Sequence, residues 1–224
     1  MKNYRHLDIQ SHINRHGLLF PLDVLLVGAT GSGKSSTVNA LFNTTVAKVG
    51  QGVDPETQTI SAYALHDYLR FHDSAGLGDG KNNDLTHSKN ITDELRKVCS
   101  NGNGNHFMDL TLVLLDASSR DLGTAFRLLE SVILKSIEPK RVIVAINQAD
   151  MAMKGRCWDA RLNQPESRLI DFLNEQARSV KQRIHESTGL SISQPVYYSA
   201  KFSYNIKSLI DHLINHFPTR RRLV

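Results

Sequence analysis

Val24-Leu25-Leu26-Val27-Gly28-Ala29-Thr30-Gly31-Ser32-Gly33-Lys34-Ser35-Ser36-Thr37-Val38-Asn39-Ala40-Leu41-Phe42 is the stretch that decides the fold. It opens as an unbroken apolar run, passes through a glycine-rich turn and continues with helical spacing. Residues 28–35 fit the pattern G-x-x-x-x-G-K-[ST], and a strand before it with a helix after it is the context that pattern requires. Gly31 and Gly33 let the backbone wrap so that successive N–H groups face a phosphate chain. The helix behind the turn adds the positive end of its dipole. Gly28, Gly31, Ser32, Gly33, Lys34, Ser35 and Ser36 are therefore the candidate phosphate-binding residues. Lys34 can reach the β- and γ-phosphates, and the Ser35 hydroxyl can ligate a Mg2+ ion that bridges them.

The rest of the composition suits a single α/β domain. The chain has 224 residues, 40% of them hydrophobic, enough for a sizeable core. No apolar stretch approaches the ~20 residues of a membrane span, and the charged, histidine-rich start does not read as a secretory signal. Two cysteines, Cys99 and Cys157, in dissimilar polar surroundings argue against a disulfide framework and for a reducing, cytoplasmic setting. A formal charge of +5 is compatible with polyphosphate or RNA but diffuse. Arg220-Arg221-Arg222 reads as a solvated basic tail after a helix. The ten histidines are scattered without metal-ligand spacing.

Strands are expected at 22–27, 60–65, 69–72, 110–115, 142–146 and 196–198, the second and third meeting in a hairpin at His66-Asp67. Helices are expected at 4–16 (weakly amphipathic), 91–99, 122–135, 167–186 and 206–216. Apolar strands without period-two alternation, interleaved with helices, predict a three-layer α/β/α fold around a mostly parallel six-stranded sheet with one antiparallel strand. The expected organisation is an N-terminal helical segment at 1–20, one domain at 21–218 and a basic tail at 219–224.

Ligands of such sheets bind outside the carboxyl ends of the strands, so the residues following each strand carry the test. After Arg70-Phe71-His72 comes Asp73-Ser74-Ala75-Gly76, a D-x-x-G sequence. Its aspartate can hold Mg2+ and its glycine can offer an N–H to a γ-phosphate. After residues 142–146 comes Asn147-Gln148-Ala149-Asp150, and after 196–198 comes Ser199-Ala200-Lys201.

Together these segments resemble the translation-factor-class P-loop GTPases, whose fourth and fifth motifs read N-K-x-D and S-A-K. The resemblance covers residues 22–217 and implies a G domain that binds GTP or GDP with Mg2+. It implies that Asn147, Gln148, Asp150, Ser199, Ala200 and Lys201 form the guanine site. Asp150 would accept hydrogen bonds from guanine N1–H and the 2-amino group, a pair of donors that adenine lacks. Asn147 would tie this loop to the phosphate loop, and the Ala200 N–H would meet guanine O6. Gln148 stands where the family has lysine, and its amide would lie over the base. Thr57, with Thr59 as the alternative, would be the third Mg2+ ligand beside Ser35 and Asp73. Residues 28–42 look like the Era-like, HSR1-related branch, with some similarity to immunity-related GTPases. Residues 147–159 look like a bacterial, prophage-associated group of YfjP-like GTPases.

For hydrolysis, the resemblance assigns Lys34, Ser35, Thr57 and Gly76 to the reacting phosphate. Many relatives place a water-orienting glutamine directly after D-x-x-G; here Leu77 occupies that position. Others hold potassium with an asparagine of the phosphate loop, where this chain has Gly31. Arg120 is the nearest candidate for an arginine finger, though a surface role fits it better. The expectation is a switch with slow intrinsic turnover, with loops 46–59 and 77–84 changing state and help coming from an effector or from homodimerisation across the nucleotide. A non-hydrolysing GTP/GDP-binding module is the alternative. An ATP-using kinase or ATPase would leave residues 147–150 and 199–201 without a role. A ribosome or RNA contact stays open, as does an effector region beyond the C-terminal end. Trp158 is expected to pack on the sheet edge.

Overall fold

The computed structural model describes residues 1, 3–47, 60–78, 81–100, 104–119 and 123–224. The chain runs α1 (His6–His16), β1 (Leu22–Gly28), α2 (Lys34–Phe42), β2 (Ser61–His66), β3 (Leu69–Asp73), α3 (Lys81–Arg96), β4 (Leu110–Asp116) and α4 (Gly123–Leu128). It continues through β5 (Val142–Asn147), β6 (Trp158–Asp159), β7 (Gln164–Pro165), α5 (Ser167–Thr188), β8 (Val196–Tyr197) and α6 (Ile206–Ile214).

Six strands form one sheet in the order β2-β3-β1-β4-β5-β8. All neighbours are parallel except β2 with β3. β1 is buried along its whole length because each face has its own core. Leu22, Val24 and Leu26 pack with Ile9 and Ile13 of α1, Val38 and Leu41 of α2 and Leu209 and Leu213 of α6. Leu25 and Val27 point the other way, toward Ile91 and Leu95 of α3, Leu128 of α4 and Leu169 and Leu173 of α5. This is the expected three-layer α/β/α arrangement. The strand order reverses direction at β1, which opens a crevice at its carboxyl end.

Several elements differ from the sequence reading. α3 begins at Lys81, ten residues before the expected helix. The polar run before Ile91 carries little apolar signal, yet Asp84 in the first turn accepts the Gly78 N–H at 2.7 Å and ties the helix start to the preceding loop. The segment expected as one helix over 122–135 is α4 followed by a π-helical turn, Leu129–Ile133. The β6–β7 hairpin was not anticipated; strands of two residues have no readable period.

The basic end is the main correction. Arg221 and Arg222 are buried rather than solvated, with the Arg222 residue 6% exposed. Arg222 donates to the carbonyls of Leu95, Met108 and Ser136 at 2.9, 3.1 and 2.7 Å. Arg221 pairs with buried Asp109 and donates to the carbonyls of Leu19 and Pro21. The loops at the amino ends of the strands leave carbonyls without ladder partners, and a guanidinium with five donors satisfies several at once. At the other terminus, α1 is held by Tyr4 and Arg5 on Asp211 and by Gln10 on the Tyr68 hydroxyl. Among the described residues no helix is long and apolar enough to cross a membrane.

Candidate functional site

The phosphate loop turns sharply between β1 and α2 and is closed by side chains from other strands. Gly33 has φ +84°, and a Cβ there would lie 2.1 Å from Asn147 Nδ2. The contact exists because Asn147, at the end of β5, donates from Nδ2 to the Ser32 carbonyl at 3.0 Å. Only glycine combines that backbone conformation with so close an approach. Lys34 turns back over the loop and donates to the carbonyls of Gly28 and Ala29 at 3.2 and 3.1 Å. Ser32 is buried and its Oγ has no hydrogen-bond partner; Ser36 lies half-buried in the first turn of α2.

Asp73 stands at the carboxyl end of β3, beside β1. Its Oδ2 accepts the Ser35 hydroxyl at 2.6 Å, while Oδ1 is buried without a partner. Burial pushes the Asp73 carboxyl up; the Ser35 hydrogen bond and the nearby Lys34 charge oppose that push. A serine hydroxyl and a buried carboxylate with an unused oxygen are hard-oxygen ligands suited to Mg2+, and the adjacent turn of backbone N–H groups suits phosphate oxygens. Thr57 and Thr59, expected to complete that set, lie outside the described residues, as does Arg120.

Gly76 presses against the phosphate loop. A Cβ there would meet Thr30 Cα and N at 2.6 and 2.7 Å. Leu77 forms a parallel bridge with Ala29, accepts the Thr30 N–H at 2.7 Å and is 7% exposed. The residue in the water-orienting position is thus apolar and packed in the core.

The base-recognition candidates assemble at the ends of β5 and β8. Ser199 donates from Oγ to Asp150 Oδ1 at 2.6 Å, inside the protein. Among the described residues Asp150 Oδ2 has no hydrogen bond. Asn147 is a two-way tie: while Nδ2 holds Ser32, Oδ1 accepts the Ala200 N–H at 3.0 Å. The Ala200 N–H, expected to face the base, is therefore engaged with Asn147; in a dry site the amide oxygen needs a donor. Gln148, whose amide was expected to lie over the base, donates from Nε2 to the Gly31 carbonyl at 2.6 Å. The Lys201 ammonium sits 5.1 Å from the centre of the Phe202 ring.

Two residues outside the motifs pack beside these loops. Tyr198, fully buried directly after β8, shares a 2.7 Å hydrogen bond with Thr37 of α2, and burial pushes its phenol up. Trp158 packs against Phe202 and Tyr204, just beyond Lys201. Thr37 directly follows the phosphate-loop serines and Tyr198 directly precedes Ser199, so sequence adjacency is the signal that could have found that pair.

Residues 23–148 match the MMR_HSR1 family, described as 50S ribosome-binding GTPase. No curated protein matches the chain. Era of Aquifex aeolicus bound to GDP.AlF4- is 18% identical, with a TM-score of 0.51 over 88% of this chain and 56% of its own. Toc33 of Arabidopsis thaliana in complex with GDP and Mg2+ is 16% identical, with a TM-score of 0.59 over 99% of this chain and 94% of its own. A probable GTP-binding protein engB is 17% identical, with a TM-score of 0.51 over 87% and 97%. Identities this low speak to the fold, and the chain spans little more than half the length of Era. With the family match extending from β1 to the loop after β5, the chain belongs to the MMR_HSR1 family of P-loop GTPases.

Proposed function

We propose that this chain binds GTP and GDP with Mg2+ and hydrolyses GTP slowly to GDP and phosphate, as a cytoplasmic switch. The observation that carries the reading is the state of Asp150. Ser199 occupies one carboxylate oxygen and leaves the other for a ligand. Guanine presents N1–H and the 2-amino group to such an acceptor, and adenine presents no matching pair. Asn147 supports the same reading, since it links the base-recognition loop to the phosphate loop that would hold the other end of the nucleotide.

In this reading Gly28, Gly31, Ser32, Gly33, Lys34, Ser35 and Ser36 bind the phosphates. Gln148, Ala200 and Lys201 frame the base. Lys34 exchanges two backbone carbonyls for phosphate oxygens. Ser35 and Asp73 would hold the metal, with Thr57 as the third ligand. Bound Mg2+ supplies Lewis-acid charge on the β- and γ-phosphate oxygens. Gly76 leaves Thr30 to offer its N–H to the γ-phosphate, and that movement is how the switch registers GTP.

Buried Leu77 favours slow turnover, because an apolar side chain cannot orient the attacking water. The same observation supports a second reading, a GTP/GDP-binding module that scarcely hydrolyses. An effector or a second copy meeting across the nucleotide would supply the missing group, and a ribosome contact is the partner that the family description suggests. Phosphate release from GTP, measured at low and high protein concentration, separates the two. The switch reading expects slow release that Lys34→Ala abolishes. Release from Lys34→Ala equal to wild type would sink the site, and none from wild type at any concentration would leave the binding module.

A further inference from the structure

Beyond the motifs, the chain that leaves Asp150 folds back onto the other half of the base-recognition site. Met153, Lys154 and Gly155 all have positive φ, of 52°, 61° and 73°, and reverse the chain; Cys157 follows at 62°. β6 and β7 then pair Trp158 with Pro165 and Asp159 with Gln164. Asp159 Oδ1 accepts the N–H groups of Arg161 and Leu162 at 2.8 and 2.9 Å and closes the turn. Four left-handed non-glycine residues between 153 and 163 carry a conformational cost that a mere connector would avoid.

What the hairpin presents is Trp158. Its ring centre is 5.3 Å from Phe202 at a 33° tilt and 5.5 Å from Tyr204 at 88°, edge to face. Both partners belong to the turn that ends the Ser199-Ala200-Lys201 loop. Tyr204 exchanges two backbone hydrogen bonds with Ser199, at 3.0 and 3.1 Å, and the Phe202 N–H reaches Ser199 Oγ at 3.3 Å. Ser199 Oγ in turn donates to Asp150. The connection forms a ring: Asp150 to Trp158 along the chain, Trp158 to Tyr204 and Phe202 through aromatic contact, then Ser199 back to Asp150. Trp158 Nε1 is buried without a hydrogen bond, so its polar end is not what fixes it.

We propose that Trp158 is a positioning residue for guanine selectivity: it clamps the turn at 199–204 so that Ser199 holds the Asp150 carboxylate at a fixed angle to the base. The proposal rests on the guanine-site reading above. It touches no nucleotide itself and acts through Ser199.

The chain has one tryptophan, so intrinsic fluorescence reads this site directly. Titrating the wild-type protein with GDP and Mg2+ should change Trp158 emission saturably. Dissociation constants for GDP and for IDP, which lacks the 2-amino group, are then measured by calorimetry for wild type, Trp158→Ala and Trp158→Phe. Loss of an aromatic pair predicts that Trp158→Ala weakens GDP by about tenfold. IDP should weaken by less, so the GDP-to-IDP preference shrinks, and Trp158→Phe should keep that preference because the ring contacts survive. Equal losses for GDP and IDP, or unchanged GDP binding in Trp158→Ala, would overturn the clamp. Should Trp158→Ala fail to fold, the wild-type titration decides, since emission indifferent to saturating GDP also overturns it. A wild-type chain that calorimetry finds to bind neither nucleotide would remove the guanine reading and this inference with it.

Discussion

Lys34, Gly33 and Asp150 each make a different demand on the site, and each has its own test. Lys34 already spans the loop between two carbonyls, so its removal takes away charge more than structure. Lys34→Ala should fold normally by circular dichroism and lose GTP binding. Gly33 meets the Asn147 amide at a distance no Cβ tolerates. Gly33→Ala should therefore displace Asn147 and reduce GDP affinity by about tenfold or more, since strain of this kind costs on the order of 1–3 kcal/mol. Asp150→Asn is subtler. Ser199 would still donate to the remaining carbonyl oxygen, which turns the new amide toward the base. GTP affinity should fall about a hundredfold for the loss of two charge-assisted hydrogen bonds, while XTP, with a carbonyl in place of the 2-amino group, gains. A binding competition between GTP and XTP checks this, and unchanged preference would reject the role given to Asp150.

At the scale of elements, the C-terminal segment is a structural strap. Arg222 satisfies three carbonyls at the end of the sheet away from the phosphate loop. Arg222→Ala should cost about 3 kcal/mol, read as a lower urea midpoint, with GDP affinity unchanged. This element shows where sequence reading stops. A run of three arginines looks the same whether its partners are water or backbone carbonyls distant in sequence, because hydrogen-bond acceptors on loops leave no pattern. The hairpin at 158–165 was hidden for a related reason: its strands are shorter than any period, and its geometry comes from left-handed residues that carry no turn signature beyond Gly155 and Asn163. By contrast, β1, β4 and β5 were legible because strands buried on both faces are continuous apolar runs. The motif residues were legible for a chemical reason. Ser199 reaches Asp150, and Ala200 reaches Asn147, because these residues stand at or just after the ends of the neighbouring strands β5 and β8. The two engagements missed there, Ala200 with Asn147 and Gln148 with Gly31, are local hydrogen bonds that a motif does not specify.

For the whole molecule, two imidazoles, His66 and buried His212, weaken stability on the acid side, and buried Asp109, its carboxyl pushed up to about 6 by burial despite Arg221, works against them. Burial, with His6 alongside, lowers His66 to about 4. Burial and His216 lower His212 likewise to about 4. His66 Nδ1 accepts the Tyr68 N–H, which requires that nitrogen to stay unprotonated. In the unfolded chain both titrate near 6.5. Between those values the unfolded state binds protons on these two imidazoles that the folded state refuses, so their contribution is full above pH 6.5 and is lost as pH drops toward 4, while the single raised carboxyl of Asp109 returns part of it below about pH 6. The urea midpoint should be lower at pH 5 than at pH 7, and His212→Leu should narrow the difference while His66 keeps its share. An equal midpoint at both pH values would contradict the account.

The central claim is that the crevice between β1, β3, β5 and β8 selects guanine nucleotides. Its most direct test is displacement of fluorescent GDP from the wild-type protein, with Mg2+ present, by GTP and by ATP. The account predicts that GTP displaces it at stoichiometric excess and that ATP fails to do so at a hundredfold or so higher concentration. Displacement by ATP as effective as by GTP would contradict it.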